Sequence, residues 1–347
     1  MKMTFRYYGL NDSIPLKYIK QIPNMSGVVT AIYDVPVGEI WPLASLINLK
    51  EECAKYDLKM EVIESIPVHE DIKLGKPSRD LYIANYIENI KRCASVGVKC
   101  ICYNFMPVFD WLRTNLNYKN KDGSTSLSYD EEEFKKLDPT NLHLPGWDES
   151  YKKEELDNLL KEYKNISHDD LFNNYIYFLN KIIPVCEEYD VNMAVHPDDP
   201  PWDIFSLPRI VSNKNDLQRL FTAIPSKRNG LTLCTGSLGA NHDNDLMDIA
   251  KTYAQEGRIH FLHARNILYL DNKAHGSFVE SGHFDGAGSL DLAAIIKALL
   301  ENGFDGYVRP DHGRMIFDEG GKPGYGLYDR ALGSVYLTGL FEGLAKK

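Results

Sequence analysis

The 347-residue sequence contains no apolar run that approaches the roughly 18 residues needed to cross a bilayer. It also lacks a CxxC pair, an internal repeat and a low-complexity tract. Acidic residues outnumber basic ones by 49 to 39, and the formal net charge of −10 argues against binding to nucleic acid or anionic membranes. The N-terminal segment carries Arg6 inside its first apolar stretch and has no signal-peptide pattern. These absences predict a cytoplasmic globular protein that binds neither nucleic acid nor membrane and keeps its six cysteines reduced.

What the sequence does contain is an alternation of short apolar segments with amphipathic ones. Eight segments rich in Val, Ile, Tyr, Phe or Cys are predicted strands: 3–9, 27–34, 58–65, 98–105, 191–196, 231–235, 258–263 and 306–311. The amphipathic segments are predicted helices: 42–56, 79–96, 169–189, 212–224, 243–256, 289–302 and 327–344. Eight alternating units close most economically into a single (β/α)8 TIM barrel over residues 1–347. A doubly wound open sheet is the alternative, although no GxGxxG fingerprint follows the first strand.

One long segment, residues 106–168 after the fourth strand, departs from this regular alternation. It is polar, and we predict a helical and loop insertion. Loops of this length are either functional or disordered. Barrel active sites lie at the carboxyl ends of the strands, so an insertion at this point is placed to cover the active-site mouth. The alternative is a mobile surface excursion.

Residues with metal-ligand chemistry stand at or next to the carboxyl ends of the four late strands: His196, Cys234, His263 and Asp311. A barrel brings such strand ends together around one mouth, so their separation along the chain is no obstacle. Two imidazoles, a thiolate and a carboxylate suit Mn²⁺, Fe²⁺, Co²⁺ or Zn²⁺ better than Mg²⁺ or Ca²⁺. We therefore predict a divalent metal site.

The two-residue period of a strand sorts the neighbouring polar residues. His260 and His263 differ by an odd number, so His260 is predicted to point outward as a structural histidine. Arg309 shares the parity of Asp311 and faces inward, and His312 follows the strand at once.

Polar residues also mark the ends of the early strands and the later loops. Arg6 lies in the first strand and Asn104 ends the fourth, while Glu64 is either a buried partner of a barrel arginine or a substrate contact. The turn around Ser237 either offers backbone N–H groups to an anion or is an ordinary turn. Tyr325 lies in a glycine-rich segment and either reaches the mouth or packs. Several cationic side chains around the mouth favour a small anionic substrate.

A series of stretches from residue 3 to about 334 resembles the mannonate dehydratase family. They are MTFRYYG, VVTAIYDVPVGEIW, VIESIPVHEDIK, NFMPVFDW, LPGW, AVHPDDPP, LCTGSLGA, FLHARN, VRPDHGR and PGYGLYDRALG. The resemblance implies a xylose-isomerase-like barrel that converts D-mannonate to 2-dehydro-3-deoxy-D-gluconate in hexuronate catabolism. It also implies Mn²⁺ or Fe²⁺, held by the residues matching His196, Cys234, His263 and Asp311.

That reaction removes the C2 proton and expels the C3 hydroxyl, so it needs a base, an acid and a metal or cationic clamp on the carboxylate. We predict His312 and Tyr325 as the acid–base pair, with their roles open between the two. The substrate-binding residues are predicted to be Arg309, Ser237, Asn104 and Arg6. A metal-dependent sugar isomerase on the same barrel and a non-catalytic sugar-acid binding protein are the alternatives. We expect a homo-oligomer, most simply a dimer.

Overall fold

The computed structural model describes residues 1–140 and 151–345, and the LPGW stretch of the sequence lies outside them. Eight parallel strands form a closed barrel: β1 (Lys2–Arg6), β2 (Gly27–Thr30), β3 (Lys59–Glu64), β4 (Cys100–Tyr103), β7 (Asn192–Val195), β8 (Asn229–Cys234), β9 (Ile259–Ala264) and β12 (Tyr307–Pro310). Around the barrel their order is β1-β12-β9-β8-β7-β4-β3-β2, so β12 closes the sheet against β1. The predicted barrel is confirmed, and the open sheet is wrong.

The strands form where sequence predicts them because both of their faces are buried. All residues of β2, β4, β8 and β12 are buried. One face fills the barrel with a compact apolar cluster that includes Val62, Phe261, Cys100 and Cys102. The opposite face packs under the helices in the main hydrophobic core.

The predicted helices form within about three residues of their expected bounds. The described part of the chain contains α1 (Leu16–Gln21), α2 (Leu43–Ala54), α3 (Glu70–Lys73), α4 (Arg79–Ser95), α5 (Glu131–Phe134), α6 (Lys153–Tyr163), α7 (His168–Glu188), α8 (Lys214–Ala223), α9 (Thr235–Gly239), α10 (Leu246–Gln255), α11 (Leu292–Glu301) and α12 (Tyr328–Ala345). Side-chain caps set several of the starts, since Ser167 accepts a hydrogen bond from the backbone of α7 and Asp245 from that of α10. No helix among these residues is long and apolar enough to span a membrane.

The insertion differs from its prediction as a helical and loop segment, because it contains a β-hairpin. Its strands β5 (Asn115–Lys119) and β6 (Thr125–Tyr129) join a second hairpin, β10 (Asn266–Tyr269) and β11 (Phe278–Ser281), which follows β9. The four strands form an antiparallel sheet in the order β10-β11-β6-β5, here called the covering sheet. Gly123, at a φ of +88°, makes the turn between β5 and β6.

The covering sheet lies against the loops at the carboxyl ends of the barrel strands. Thr125 forms an antiparallel bridge to Met315, which follows β12. The ring of Trp111 lies 5.6 Å from that of His312. A second apolar cluster, including Phe109, Leu112 and Leu156, joins the start of the insertion to α6. These contacts join the described parts of the insertion to segments that follow the carboxyl ends of barrel strands.

Candidate metal and active site

Four side chains with metal-ligand chemistry meet at the carboxyl ends of four adjacent barrel strands. His196 follows β7, Cys234 ends β8, His263 lies near the end of β9 and Asp311 follows β12. One ligand atom from each lies within 4.8 Å of the others. The parallel register causes this meeting, since Cys234 is the strand partner of His263.

The donor set fits one divalent ion. Cys234 Sγ lies 3.6 Å from Asp311 Oδ2, and His263 Nδ1 lies 3.9 Å from the same oxygen. These are the separations expected of ligands that share one ion at bond lengths of about 2.0–2.3 Å. The mixture of nitrogen, sulfur and oxygen donors suits a transition metal rather than Mg²⁺ or Ca²⁺.

Neighbouring groups orient these donors. Nδ1 of His196 lies 2.7 Å from the carbonyl oxygen of Pro197, which leaves Nε2 for a metal. Nε2 of His263 lies 3.3 Å from the Glu64 carboxylate, on the side of the ring opposite Asp311. The Ser237 hydroxyl lies 3.1 Å from Cys234 Sγ. Carboxylate, carbonyl and hydroxyl partners of this kind are common around metal ligands.

The carboxylates beneath the mouth are held ionised by arginines. Burial opposes ionisation of Asp311, yet Arg309, whose guanidinium lies 2.8 Å away, holds the pKa of this carboxyl well below its usual range. Burial likewise opposes ionisation of Glu64, whose pKa is kept well below its usual range by Arg309 and Arg6. Burial also lowers the pKa of His196, so its imidazole is neutral, as a ligand requires.

A second group of donors, Glu64, Cys102 and His263, also comes within reach of one ion. Cys102 is buried among apolar side chains, which raises the pKa of its thiol well above the usual value. Because a metal binds the thiolate, this group is the poorer site. It also shares His263 with the first group.

Two of the residues predicted to bind substrate, Ser237 and Arg309, lie beside the metal-ligand candidates. Ser237 is fully buried and contacts Cys234 and Asp199. Arg309 is buried between Glu64 and Asp311. The sequence expectation that Glu64 partners a barrel arginine is therefore met.

Arg6 and Asn104 lie at the carboxyl ends of β1 and β4. The Arg6 guanidinium donates to the Glu64 backbone carbonyl and lies 5.0 Å from the Tyr8 ring. Asn104 follows β4, is partly exposed and accepts a hydrogen bond from the Met106 backbone. Neither side chain contacts the four metal-ligand candidates through a described hydrogen bond.

His312 and Tyr325, the predicted acid–base pair, are in direct contact. Nε2 of His312 lies 2.7 Å from the Tyr325 hydroxyl. The Tyr325 ring packs edge-on to Tyr8, and burial raises the pKa of Tyr325 well above its usual value. Nε2 of His312 also lies 4.0 Å from Asp311 Oδ1, so the pair stands beside the candidate metal ligands.

A buried charge network behind this pair was not predicted from the sequence. The Glu280 carboxylate on β11 contacts Nδ1 of His312 and accepts two hydrogen bonds from Arg113. Arg113 also pairs with both oxygens of Asp199, which in turn pairs with Arg265. Asp199 and Arg265 stand in the stretches AVHPDDPP and FLHARN, so the family resemblance marked their neighbourhoods. No sequence pattern marked Glu280, because its position depends on the covering sheet.

Together, the closed parallel barrel, the four ligand candidates at its mouth and the adjoining contact between His312 and Tyr325 define a TIM-barrel protein with a candidate active site at the carboxyl ends of its strands. At the level of fold, the chain resembles a xylose isomerase-like TIM barrel protein from Mycobacterium smegmatis, with a TM-score of 0.62, 11% identity, and coverage of 99% of this chain and 97% of that one. The family model described as D-mannonate dehydratase (UxuA) matches residues 1–347. The chain belongs to the D-mannonate dehydratase family.

Individual relatives match this chain over nearly their full lengths. "Mannonate dehydratase 2" of Halalkalibacterium halodurans is 51% identical over 99% of this chain and 100% of its own length. The mannonate dehydratase of Streptococcus uberis is 52% identical over 100% of this chain and 99% of its own. The crystal structure of the mannonate dehydratase from Streptococcus suis serotype 2 has a TM-score of 0.93 and 44% identity, and the match covers 100% of this chain and 95% of that chain. The predicted family is confirmed.

Proposed function

We propose that this chain converts D-mannonate to 2-dehydro-3-deoxy-D-gluconate and water, with His312 and Tyr325 moving the protons beside a divalent metal. The family to which the chain belongs supplies the reaction class. The observation that carries the assignment of residues is the 2.7 Å contact between His312 Nε2 and the Tyr325 hydroxyl, next to the four ligand candidates. The place of the reaction in hexuronate catabolism follows from its substrate.

The reaction breaks the C2–H and C3–O bonds of the substrate and yields an enol that becomes the 2-keto acid. The α-proton of a carboxylate is scarcely acidic, so the negative charge that develops there must be stabilised. His196, Cys234, His263 and Asp311 would hold Mn²⁺ or Fe²⁺, which supplies a Lewis acid for this charge when bound.

Proton transfer falls to His312 and Tyr325. One of them takes the proton from C2, and the other gives a proton to the departing C3 hydroxyl. Nε2 of His312 and the Tyr325 hydroxyl are 2.7 Å apart, so the two groups are close enough to act on neighbouring atoms of one substrate. This contact supports the pair that we predict from the sequence.

Cationic groups around the mouth support an anionic substrate. Lys322 Nζ lies 4.5 Å from the Tyr8 ring and 5.5 Å from the Tyr325 ring, on the exposed side of the site. Arg6 lies beneath Tyr8. We assign Arg6 and Asn104 to contacts with the polyhydroxy acid. Arg309 and Ser237 contact the ligand candidates Asp311 and Cys234, and we assign them to positions beside the metal ligands.

The decisive experiment is anaerobic turnover of D-mannonate with added Mn²⁺ against a chelated control, with detection of the 2-keto-3-deoxy acid. Anaerobic handling protects the Cys234 thiolate from oxidation. Metal-dependent product is the expected result, and replacing Mn²⁺ by Fe²⁺ or Zn²⁺ ranks the ions. Formation of a simple ketose instead would favour a sugar isomerase, and substrate binding without turnover would favour a binding protein.

We also propose a cytoplasmic homodimer. An exposed apolar patch on and beside α12 supports self-association, comprising Phe317 (76% exposed), Leu332 (55%), Val335 and Tyr328. Light scattering of the purified protein tests the dimer, and a monomeric mass for the active enzyme contradicts it. Cell fractionation tests the compartment.

A further inference from the structure

The imidazole of His312 is held on both of its nitrogens. Nε2 faces the Tyr325 hydroxyl at 2.7 Å, and Nδ1 faces the carboxylate of Glu280, whose two oxygens lie 2.7 and 2.6 Å away. His312 and Glu280 are both buried. Glu280 is the described hydrogen-bond partner of Nδ1 in this buried setting.

Arg113 anchors the Glu280 carboxylate from the other side. Its Nε and one terminal nitrogen donate to Glu280 Oε1 at 2.9 and 2.7 Å, while its remaining donors reach Asp199. These charges balance, with Arg113 and Arg265 facing Glu280 and Asp199. The carboxylate stays ionised, because His312 and the two arginines outweigh its burial and lower the pKa of Glu280.

An ionised carboxylate accepts hydrogen bonds and cannot donate them, so the group that faces it must be an N–H. We propose that Glu280 is a positioning residue that accepts a hydrogen bond from His312 Nδ1 and thereby fixes the ring with Nε2 directed at the Tyr325 hydroxyl and the substrate. This inference rests on the proposed function, in which His312 moves a proton. Glu280 lies on β11, and Arg113 lies two residues before β5. The covering sheet therefore positions His312, a side chain that follows a barrel strand.

The substitution Glu280→Gln tests this role because Arg113 dictates how the new amide must turn. Two Arg113 donors require the amide oxygen at the position of Oε1. The amide nitrogen then takes the position of Oε2, 2.6 Å from His312 Nδ1. There its N–H groups stand against the ring N–H, which displaces the ring although the amide oxygen at the position of Oε1 still lies 2.7 Å from Nδ1.

We expect Glu280→Gln to lower kcat by about 10²- to 10⁴-fold, the range seen when an enzyme's histidine is held in the wrong tautomer or loses its proton-transfer role. KM and bound metal are expected to change less than threefold, since Glu280 contacts no ligand candidate through a described hydrogen bond. The matched control is Glu70→Gln, which removes another buried carboxylate, paired with Lys73 at 2.6 Å and remote from His312. This control is expected to retain its kcat.

Nitrogen NMR of ¹⁵N-histidine-labelled enzyme loaded with diamagnetic Zn²⁺ gives a readout that needs no Glu280 variant. The His312 signals, assigned by their loss in His312→Asn, are expected to show a hydrogen-bonded N–H at Nδ1. A wild-type enzyme without this Nδ1–H overturns the proposal, as does a Glu280→Gln variant with wild-type kcat. If His312→Asn itself retains turnover, the proposed function fails instead, so the two failures are distinguishable.

Discussion

The carboxyl ends of the barrel strands, here called the barrel rim, and the covering sheet both contribute residues to the candidate site. They differ in how those residues are brought there. The four ligand candidates on the rim come from consecutive barrel strands. Each strand places its carboxyl end at the mouth, independently of the structure of the loops. Glu280 lies on β11 and Arg113 just before β5, 167 residues apart along the chain, and their segments are brought together by the pairing of β6 with β11. Chemistry on a barrel strand can therefore be located from its place in the sequence, whereas chemistry on an added sheet depends on long-range pairing.

The largest expected effect on turnover is that of replacing His312, which follows a barrel strand and contacts Glu280 of the covering sheet. His312→Asn removes Nε2 as a proton-transfer group next to Tyr325. We expect turnover of D-mannonate to fall about 10³-fold or more, with metal content unchanged. Steady-state assays with metal analysis check this, and retained turnover removes His312 from the mechanism.

Replacing Arg113, which links Glu280 on β11 to Asp199 after β7, tests whether the covering sheet is integral to the fold. Arg113→Met leaves Glu280 and Asp199 without their shared cation, and all three side chains are buried. Breaking a buried pair in this way costs about 3–5 kcal/mol of unfolding free energy. Urea unfolding measures it, and Lys136→Met, from an exposed pair in the same insertion, is the control expected to leave the midpoint unchanged. An unchanged midpoint for Arg113→Met contradicts a structural role for this link.

On the rim, Ser237→Ala separates metal positioning from substrate binding. The hydroxyl lies 3.1 Å from Cys234 Sγ, so its loss is expected to weaken metal affinity about 10-fold. Competition with a chromogenic chelator measures the affinity, and Ser334→Ala, a buried serine on α12, is the control. A raised KM for D-mannonate at unchanged metal affinity supports the substrate contact predicted from the sequence.

The smallest effect concerns the outside of the barrel. His260 points away from the mouth, as its parity predicts, with Nε2 2.8 Å from the Lys227 carbonyl oxygen. Burial lowers the pKa of His260 to about 4, against about 6.5 in an unfolded chain. The unfolded state therefore binds the extra proton, and this stability is present above pH 6.5 and lost as the pH falls toward 4.

His260→Gln keeps the hydrogen bond to Lys227 but does not titrate. Its unfolding free energy is expected to fall less steeply than that of the wild type between pH 6.5 and 4. Denaturant titrations with chelator present in both proteins measure the two slopes, so that acid release of metal does not contribute. Parallel slopes show that His260 is protonated equally in both states.

Most of the barrel could be predicted from the sequence because each of its units is locally encoded. Short apolar runs such as 191–196 and 231–235 contain strands that end beside His196 and at Cys234. Segment 106–168 could not be predicted in the same way, since strands β5 and β6 are polar and contain no apolar run. The pairing of β6 with β11, which lies far along the chain, joins their hairpin into a sheet.

The sequence by itself determined the barrel, through strand periodicity and chain order, and the family, through the stretches that resemble it. It also predicted the four ligand candidates and the His312–Tyr325 pair. Only the tertiary structure decided that Arg309 pairs with Glu64 and Asp311, that Ser237 lies against Cys234, and that Glu280 holds His312 from the covering sheet. These are contacts between charged or polar side chains in a buried space. Their partners are set by three-dimensional packing and by the cost of leaving a buried charge unpaired, which no local pattern records.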